Sequence, residues 1–126
     1  MDRLGDEAIV RQWIAERLGT QLVKRTLVVG TGANGSERHH QFDGVSPDGQ
    51  VVIEVKTNQL KVTPGHPKGR YDSAIKPALV LDLYMLSRVT AKVKLLILTD
   101  RPLFDVFSQD MDGLLAPDTR ILYYLA

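Results

Sequence analysis

Cysteine is absent from the 126 residues, which excludes a disulfide scaffold, a thiolate zinc site and a cysteine nucleophile. Nothing points to an oxidising compartment, and a cytoplasmic protein is expected. Long apolar runs are missing too: none approaches the roughly 18 residues that a bilayer-spanning helix needs. The opening stretch MDRLGDEAIVRQWIAERLG is charged throughout, so neither secretion nor membrane insertion is expected. There is little excess charge, with 16 basic against 15 acidic residues for a net +1, which excludes a polycation that coats nucleic acid indiscriminately. Repeats, linkers and low-complexity segments are also lacking. What remains is ordinary globular usage, 44% hydrophobic and 25% charged, in a length that suits one domain spanning residues 1–126.

Spacing and turn residues predict the element order αβββαβαβ. Leu4 to Leu18 reads as a helix that Gly19 stops, and Gln21 to Val29 as a strand. The loop Gly30 to Arg38 is small and polar. His40–Val45 and Gln50–Thr57 read as a hairpin around Ser46-Pro47-Asp48-Gly49, which has the residue placement of a type I turn. Lys61 to Tyr71, with two prolines and two glycines, is expected to be a mobile basic loop. Ala74 to Val89 reads as a helix with Pro77 in its first turn. Its apolarity on most sides implies a sheet or a dimer partner against it. A buried strand over Lys92–Leu98, a short helix over Leu103–Leu115 and a strand over Ile121–Leu125 complete a single α/β sandwich with a mixed sheet.

The chemistry lies in the hairpin. With a four-residue turn, Asp43 faces Val52, and alternation puts Val52, Glu54 and Lys56 on the same face as Asp43. Asp43 and Glu54 then become diagonal neighbours at roughly 7–8 Å, a spacing that lets two carboxylates share a cation. The opposite face, Val51, Ile53 and Val55, is wholly apolar, so the strand reads as central and its charges need a purpose. Two hard oxygen donors on adjacent strands suit Mg²⁺ or Mn²⁺. A lysine two residues on could orient or deprotonate a water and offset charge on a phosphate, and the implied chemistry is metal-assisted phosphodiester hydrolysis. On the first helix, Glu7 falls within the apolar stripe of Leu4, Val10, Ile14 and Leu18. A carboxylate there needs either a metal or an i,i+4 bridge to Arg11, and both readings stay open.

Asp43, ten intervening residues, then Glu54-Val55-Lys56, after a helix bearing Glu7 and before an apolar helix and a strand, resembles the PD-(D/E)xK nuclease superfamily. The resemblance implies a restriction-endonuclease-like αβββαβ core with a mixed central sheet flanked by helices, here extended by a C-terminal helix and strand. It implies metal binding by Asp43, Glu54 and the Val55 carbonyl, with Mg²⁺ as cofactor and Mn²⁺ able to substitute, and Lys56 as the catalytic lysine. Glu7 matches the helix-borne acidic residue of several branches, including archaeal Holliday-junction resolvases. Glu54-Val55-Lys56-Thr57 is also similar to RecB-type nucleases, whose helical Gln-x-x-x-Tyr finds Tyr84 here but Val80 at the glutamine position.

Five basic residues between Glu54 and Lys76 stand against two acidic ones, a local +3, while the stretch from Arg101 onward carries two basic and four acidic residues. Lys61, Lys68, Arg70 and Lys76 are accordingly expected to contact the phosphates of a DNA partner. So small a chain has little surface for reading a duplex, which favours a homodimer. Gly30-Thr31-Gly32-Ala33-Asn34-Gly35 matches GxGxxG, but the chain runs on into a hairpin where a dinucleotide fold needs a helix, and no GK[ST] follows, so no nucleotide cofactor is expected. Of His39 and His40, which point to opposite sides of a strand, at most one can join the site, and hydrogen-bonded or surface roles are favoured for both. Two rival readings remain: an inactive nucleic-acid-binding or assembly module on the same fold, and a structural mimic in which Glu54 and Lys56 pair with charges elsewhere.

Overall fold

A computed structural model describes the backbone of residues 3–63, 66–70 and 74–125, and the side chains of residues 6–60 and 74–125. In chain order the elements are α1 (Arg3–Leu18), β1 (Val23–Thr31), β2 (Glu37–Val45), β3 (Val51–Lys56), β4 (Lys61–Thr63), β5 (His66–Arg70), α2 (Ile75–Ser87), β6 (Val93–Leu98), α3 (Arg101–Asp110) and β7 (Thr119–Tyr123). Five strands form one mixed sheet in the order β1-β2-β3-β6-β7. The pairs β1–β2 and β2–β3 are antiparallel, and β3–β6 and β6–β7 parallel. The parallel pairs need crossovers, which α2 and α3 supply.

The central strands read VVIEVK and VKLLIL and are covered on both faces, as their β-branched and leucine content requires. On one face, Ile53, Val55, Leu95 and Ile97 pack under Val10, Ile14 and Ala15 of α1. On the other, Val52, Leu96 and Leu98 pack under Leu79 and Leu86 of α2 and Leu103 and Phe107 of α3. Tyr124 meets Trp13 edge-on, ring centroids 5.0 Å apart, while Tyr123 lies 5.8 Å from Phe104, so the two tyrosines serve opposite faces as alternation demands.

Helix ends follow sequence signals. Gly19, at φ +67°, closes α1 with Thr20 N–H donating to Ala15 O and Gly19 N–H to Glu16 O, a Schellman motif. Asp100 caps α3 by accepting from Leu103 N–H, and the same carboxylate accepts from Leu60 N–H. Arg88 ties the end of α2 to β1 by donating from Nε to the Val29 carbonyl.

Three expectations need correction. The predicted loop Lys61–Tyr71 is in large part a second, two-stranded antiparallel sheet, with Lys61 opposite Arg70 and Thr63 opposite His66. The glycine-rich segment is a tight hairpin turn between β1 and β2, closed by Gly32 N–H donating to Ser36 O. The register of β2 against β3 is two residues off the predicted one: Val45 faces Val52 and Gly44 faces Ile53. Polar side chains cause the shift. Ser46 Oγ donates to Asp48 and accepts from Val51 N–H, while Asp48 accepts from Gln50 N–H, so the turn takes in residues 46–51. An even shift keeps Val52, Glu54 and Lys56 on one face.

β2 also bulges beside this turn. Its pairing with β1 slips by one residue between Phe42 and Val45, and both of these side chains enter the core beneath α2 and α3 although they are three apart. Asp43 and Gly44 are the two residues of the bulge, which breaks the simple alternation from which Asp43 was placed. Gly44 is required here: a Cβ would lie 2.7 Å from Ile53 Cγ1 and 3.3 Å from Leu22 Cβ. Ile53 is fully buried and cannot give way. Gly44→Ala is therefore expected to destabilise the fold by about 1–3 kcal/mol, measured as a lower midpoint of urea unfolding; an unchanged midpoint would show that the bulge is plastic.

Candidate functional site

The bulge frees Asp43 from the strand ladder. Its Oδ2 accepts from the Val55 N–H at 2.7 Å, and its carbonyl accepts from Arg11 of α1 at 3.1 Å. A residue's N–H and C=O point the same way along an extended strand, so the Val55 carbonyl faces the Asp43 side. The neighbouring Lys56 carbonyl faces the other way and accepts from Thr99 N–H at 3.2 Å. Asp43 is thereby held beside Glu54, although it reaches its position from a bulge and not from the regular pairing with Val52.

Glu54 is 4% exposed and Asp82, on the buried side of α2, 6%. Central strand position explains the first. The second arises because Asp82 stands between Leu79 and Leu86 on the stripe that α2 buries. His40 Nε2 lies 3.2 Å from Glu54 Oε1, its ring edge-on to Phe42 at 4.7 Å between centroids. Lys56 Nζ lies 3.2 Å from Asp82 Oδ2. That oxygen is buried, and the Lys56 ammonium holds it by charge and hydrogen bonding. One donor atom each from His40, Glu54 and Asp82 can be chosen such that all lie within 4.8 Å of one another.

Crowding of carboxylates in a dry site governs the electrostatics. Burial, with the charges of Asp43 and Asp82 behind it, raises the Glu54 pKa to about 9, against the pull of Lys56. Burial also raises Asp43 to about 6, the Val55 N–H opposing and the Glu7 charge adding to it. Asp82 is raised by burial as well, Lys56 opposing. Such a set of hard oxygen donors, short of positive charge and partly protonated for want of it, fits a divalent cation.

Glu7 is ion-paired, with Arg11 Nη1 at 3.2 Å and Lys24 Nζ at 3.0 Å, and stays near enough to act on both Asp43 and Glu54. Lys61, Lys68 and Arg70 fall on the backbone of β4 and β5, with side chains outside the described residues. Lys76 begins α2 and pairs with Asp110 of α3 at 3.1 Å. Val80 and Tyr84, the positions compared with a RecB-type helix, are exposed on α2, whereas Asp82 between them turns inward.

One member of the site, Asp82, escaped the sequence reading, whereas His40, for which a hydrogen-bonded role is expected, meets Glu54. Asp82 sits in the run ALVLDLYML, where a lone carboxylate within a helical apolar stripe is itself a signal. His40 shares alternation with Phe42, two residues on, and Phe42 is core; that parity aims it at the Glu54 face. The chain matches no family model, no curated protein and no solved structure in the comparisons made with each.

Proposed function

We propose that the protein is a divalent-metal-dependent nuclease of the PD-(D/E)xK type, hydrolysing phosphodiester bonds of DNA. The observation that carries this reading is the hydrogen bond from Val55 N–H to Asp43 Oδ2. It brings an Asp from one strand beside a buried Glu on the next, with a lysine two residues on along the same face. The order αβββαβ, once the small β4–β5 sheet is set aside, supports it as well.

In this reading Asp43, Glu54 and the Val55 carbonyl hold Mg²⁺, or Mn²⁺ in its place. When bound, the ion supplies charge stabilisation and a water of lowered pKa. Lys56 would orient or deprotonate the attacking water and offset negative charge growing on the phosphate. Arg11 and Lys24 hold Glu7, and Arg11 also grips the Asp43 carbonyl, so α1 braces the metal-binding strand. DNA would lie along the face of β4, β5 and the start of α2, where Lys61, Lys68, Arg70 and Lys76 fall. A homodimer would use the exposed strip of Val80, Leu81 and Tyr84 on α2. Among the described residues no helix is long and apolar enough to cross a membrane.

The structural mimic also has an observation behind it, since Lys56 does pair with Asp82, and Glu54 with His40. A cleavage panel separates the readings: four-way junction, supercoiled plasmid, linear duplex, single-stranded DNA and RNA, each with Mg²⁺, Mn²⁺ or EDTA. Cutting that needs metal is expected. No cutting of any substrate, with metal-independent binding of one nucleic acid, would instead favour the inactive module.

A further inference from the structure

Glu54 stands among the charges of Asp43, Asp82 and Lys56, with the His40 imidazole 3.2 Å from its Oε1. One cation bound by Asp43 and Glu54 makes no use of Asp82 or His40 as ligands. We propose that His40 Nε2, Glu54 and Asp82 form a second divalent-cation position, sharing Glu54 with the first and preferring Mn²⁺, Co²⁺ or Zn²⁺ to Mg²⁺. The inference rests on the nuclease reading for that shared ligand, while the donor set is this chain's own.

The dimensions suit it. Ligands about 2.0–2.1 Å from an ion stand roughly 3.0–3.4 Å apart along an edge of its coordination shell. The His40–Glu54 separation is 3.2 Å, and the widest separation in the group stays within 4.8 Å. Rigidity suits it too, because Glu54 lies on the central strand, Asp82 on the packed face of α2, and the His40 ring rests on Phe42. Asp82 is more than nine-tenths buried, and its Oδ2 already holds a cationic group, the Lys56 ammonium at 3.2 Å, whose place a metal ion can take. Imidazole nitrogen sets the selectivity, since Mg²⁺ favours all-oxygen shells whereas Mn²⁺, Co²⁺ and Zn²⁺ accept nitrogen increasingly well. An ion here takes Asp82 away from Lys56. The ammonium is then free to meet a phosphate, so filling this position would arm the lysine that the first position needs.

Co²⁺ reports its ligands by visible absorption, and calorimetry on the same metal-free full-length chain counts the ions. The wild type is expected to take two Co²⁺, with Mg²⁺ in excess displacing only one. His40→Gln and Asp82→Asn should each lose the Mg²⁺-resistant ion, its affinity falling by about 100-fold. Asp43→Asn should lose the other. Wild-type stoichiometry and affinity in both His40→Gln and Asp82→Asn would overturn the inference, as would a wild type that takes only the ion removed by Asp43→Asn. Should either variant misfold by circular dichroism, the ¹⁵N resonance of His40 Nε2 in the wild type decides: a large shift on adding Zn²⁺ supports ligation and an unmoved resonance refutes it. Cleavage in Mg²⁺ tests the nuclease reading separately. A chain that cuts DNA but shows no His40-dependent ion refutes this inference alone, and one that binds the ion through His40 but cuts nothing refutes the nuclease reading alone.

Discussion

Glu54→Gln is expected to melt above the wild type in metal-free buffer at pH 8, and to bind no metal and cut no DNA. Glu54 is almost wholly buried beside Asp43 and Asp82, so its ionised form is costly in the folded state. Glutamine keeps the shape and can still hydrogen-bond His40, but has no charge to bury. The direction with pH follows from linkage. The folded group titrates near 9 against an ordinary value of 4.5. Below about pH 4.5 both states hold the proton and the burial costs nothing. Between there and pH 9 the unfolded chain gives up its proton more readily, so stability drains from the wild type as pH rises. Asp43, raised to about 6, adds to the loss over the lower part of that window.

The gap between variant and wild type should therefore widen from near zero at pH 4 to about 1–3 kcal/mol at pH 8, worth several degrees of melting temperature. Added Mn²⁺ should reverse the order, since at about a hundred times its Kd it stabilises the wild type by roughly 2.7 kcal/mol and leaves Glu54→Gln where it was. Differential scanning calorimetry at pH 5 and pH 8, with and without Mn²⁺, reads all four values. A metal-free Glu54→Gln that melts below the wild type at pH 8 would mean that His40 compensates the charge within the fold, as the structural mimic requires.

The second large effect belongs to Lys56→Ala, for which cleavage should fall by about 10²- to 10⁴-fold, the range for loss of a group that moves or steadies a proton. Metal binding should survive. Lys56 donates no ligand atom to a cation, and its ammonium pairs with Asp82. Removing it makes the site more negative, so Mn²⁺ should bind at least as tightly as to the wild type. Without metal the same change strands Asp82 as a buried carboxylate without its ammonium partner, and the fold should weaken. The variant is thus expected to be unstable when metal-free, rescued by Mn²⁺ and still inactive when loaded. Steady-state cleavage beside calorimetric Mn²⁺ titration separates these properties. Cleavage within a few-fold of the wild type would remove Lys56 from the chemistry and leave it as the Asp82 counter-ion.

Much of this was legible in the sequence because it depends on short-range pattern. Helix α1 with its Gly19 stop, the hairpin strands, the common face of Glu54 and Lys56, and the run of the glycine loop into a strand and not a helix all follow from alternation and turn chemistry. What failed depends on groups that override those patterns. Ser46 and Asp48 enlarged the hairpin turn through side-chain bonds that residue type alone does not fix. The bulge at Asp43 and Gly44 exists because of packing against Ile53 and Leu22 from elsewhere in the chain. The β4–β5 pairing lay in a segment whose prolines and glycines read as loop. Asp82 joined the site through tertiary approach across 28 residues from Glu54, which no local period encodes.

The proposed nuclease meets its most direct test in a plasmid-cleavage time course run on wild type, Glu54→Gln and Lys56→Ala, with Mn²⁺ binding measured on the same preparations. The expected result is that the wild type binds Mn²⁺ and cuts, Glu54→Gln does neither, and Lys56→Ala binds Mn²⁺ without cutting. A wild type that takes up no Mn²⁺, or cleavage that persists in Glu54→Gln, would contradict a metal-dependent nuclease built on Asp43, Glu54 and Lys56.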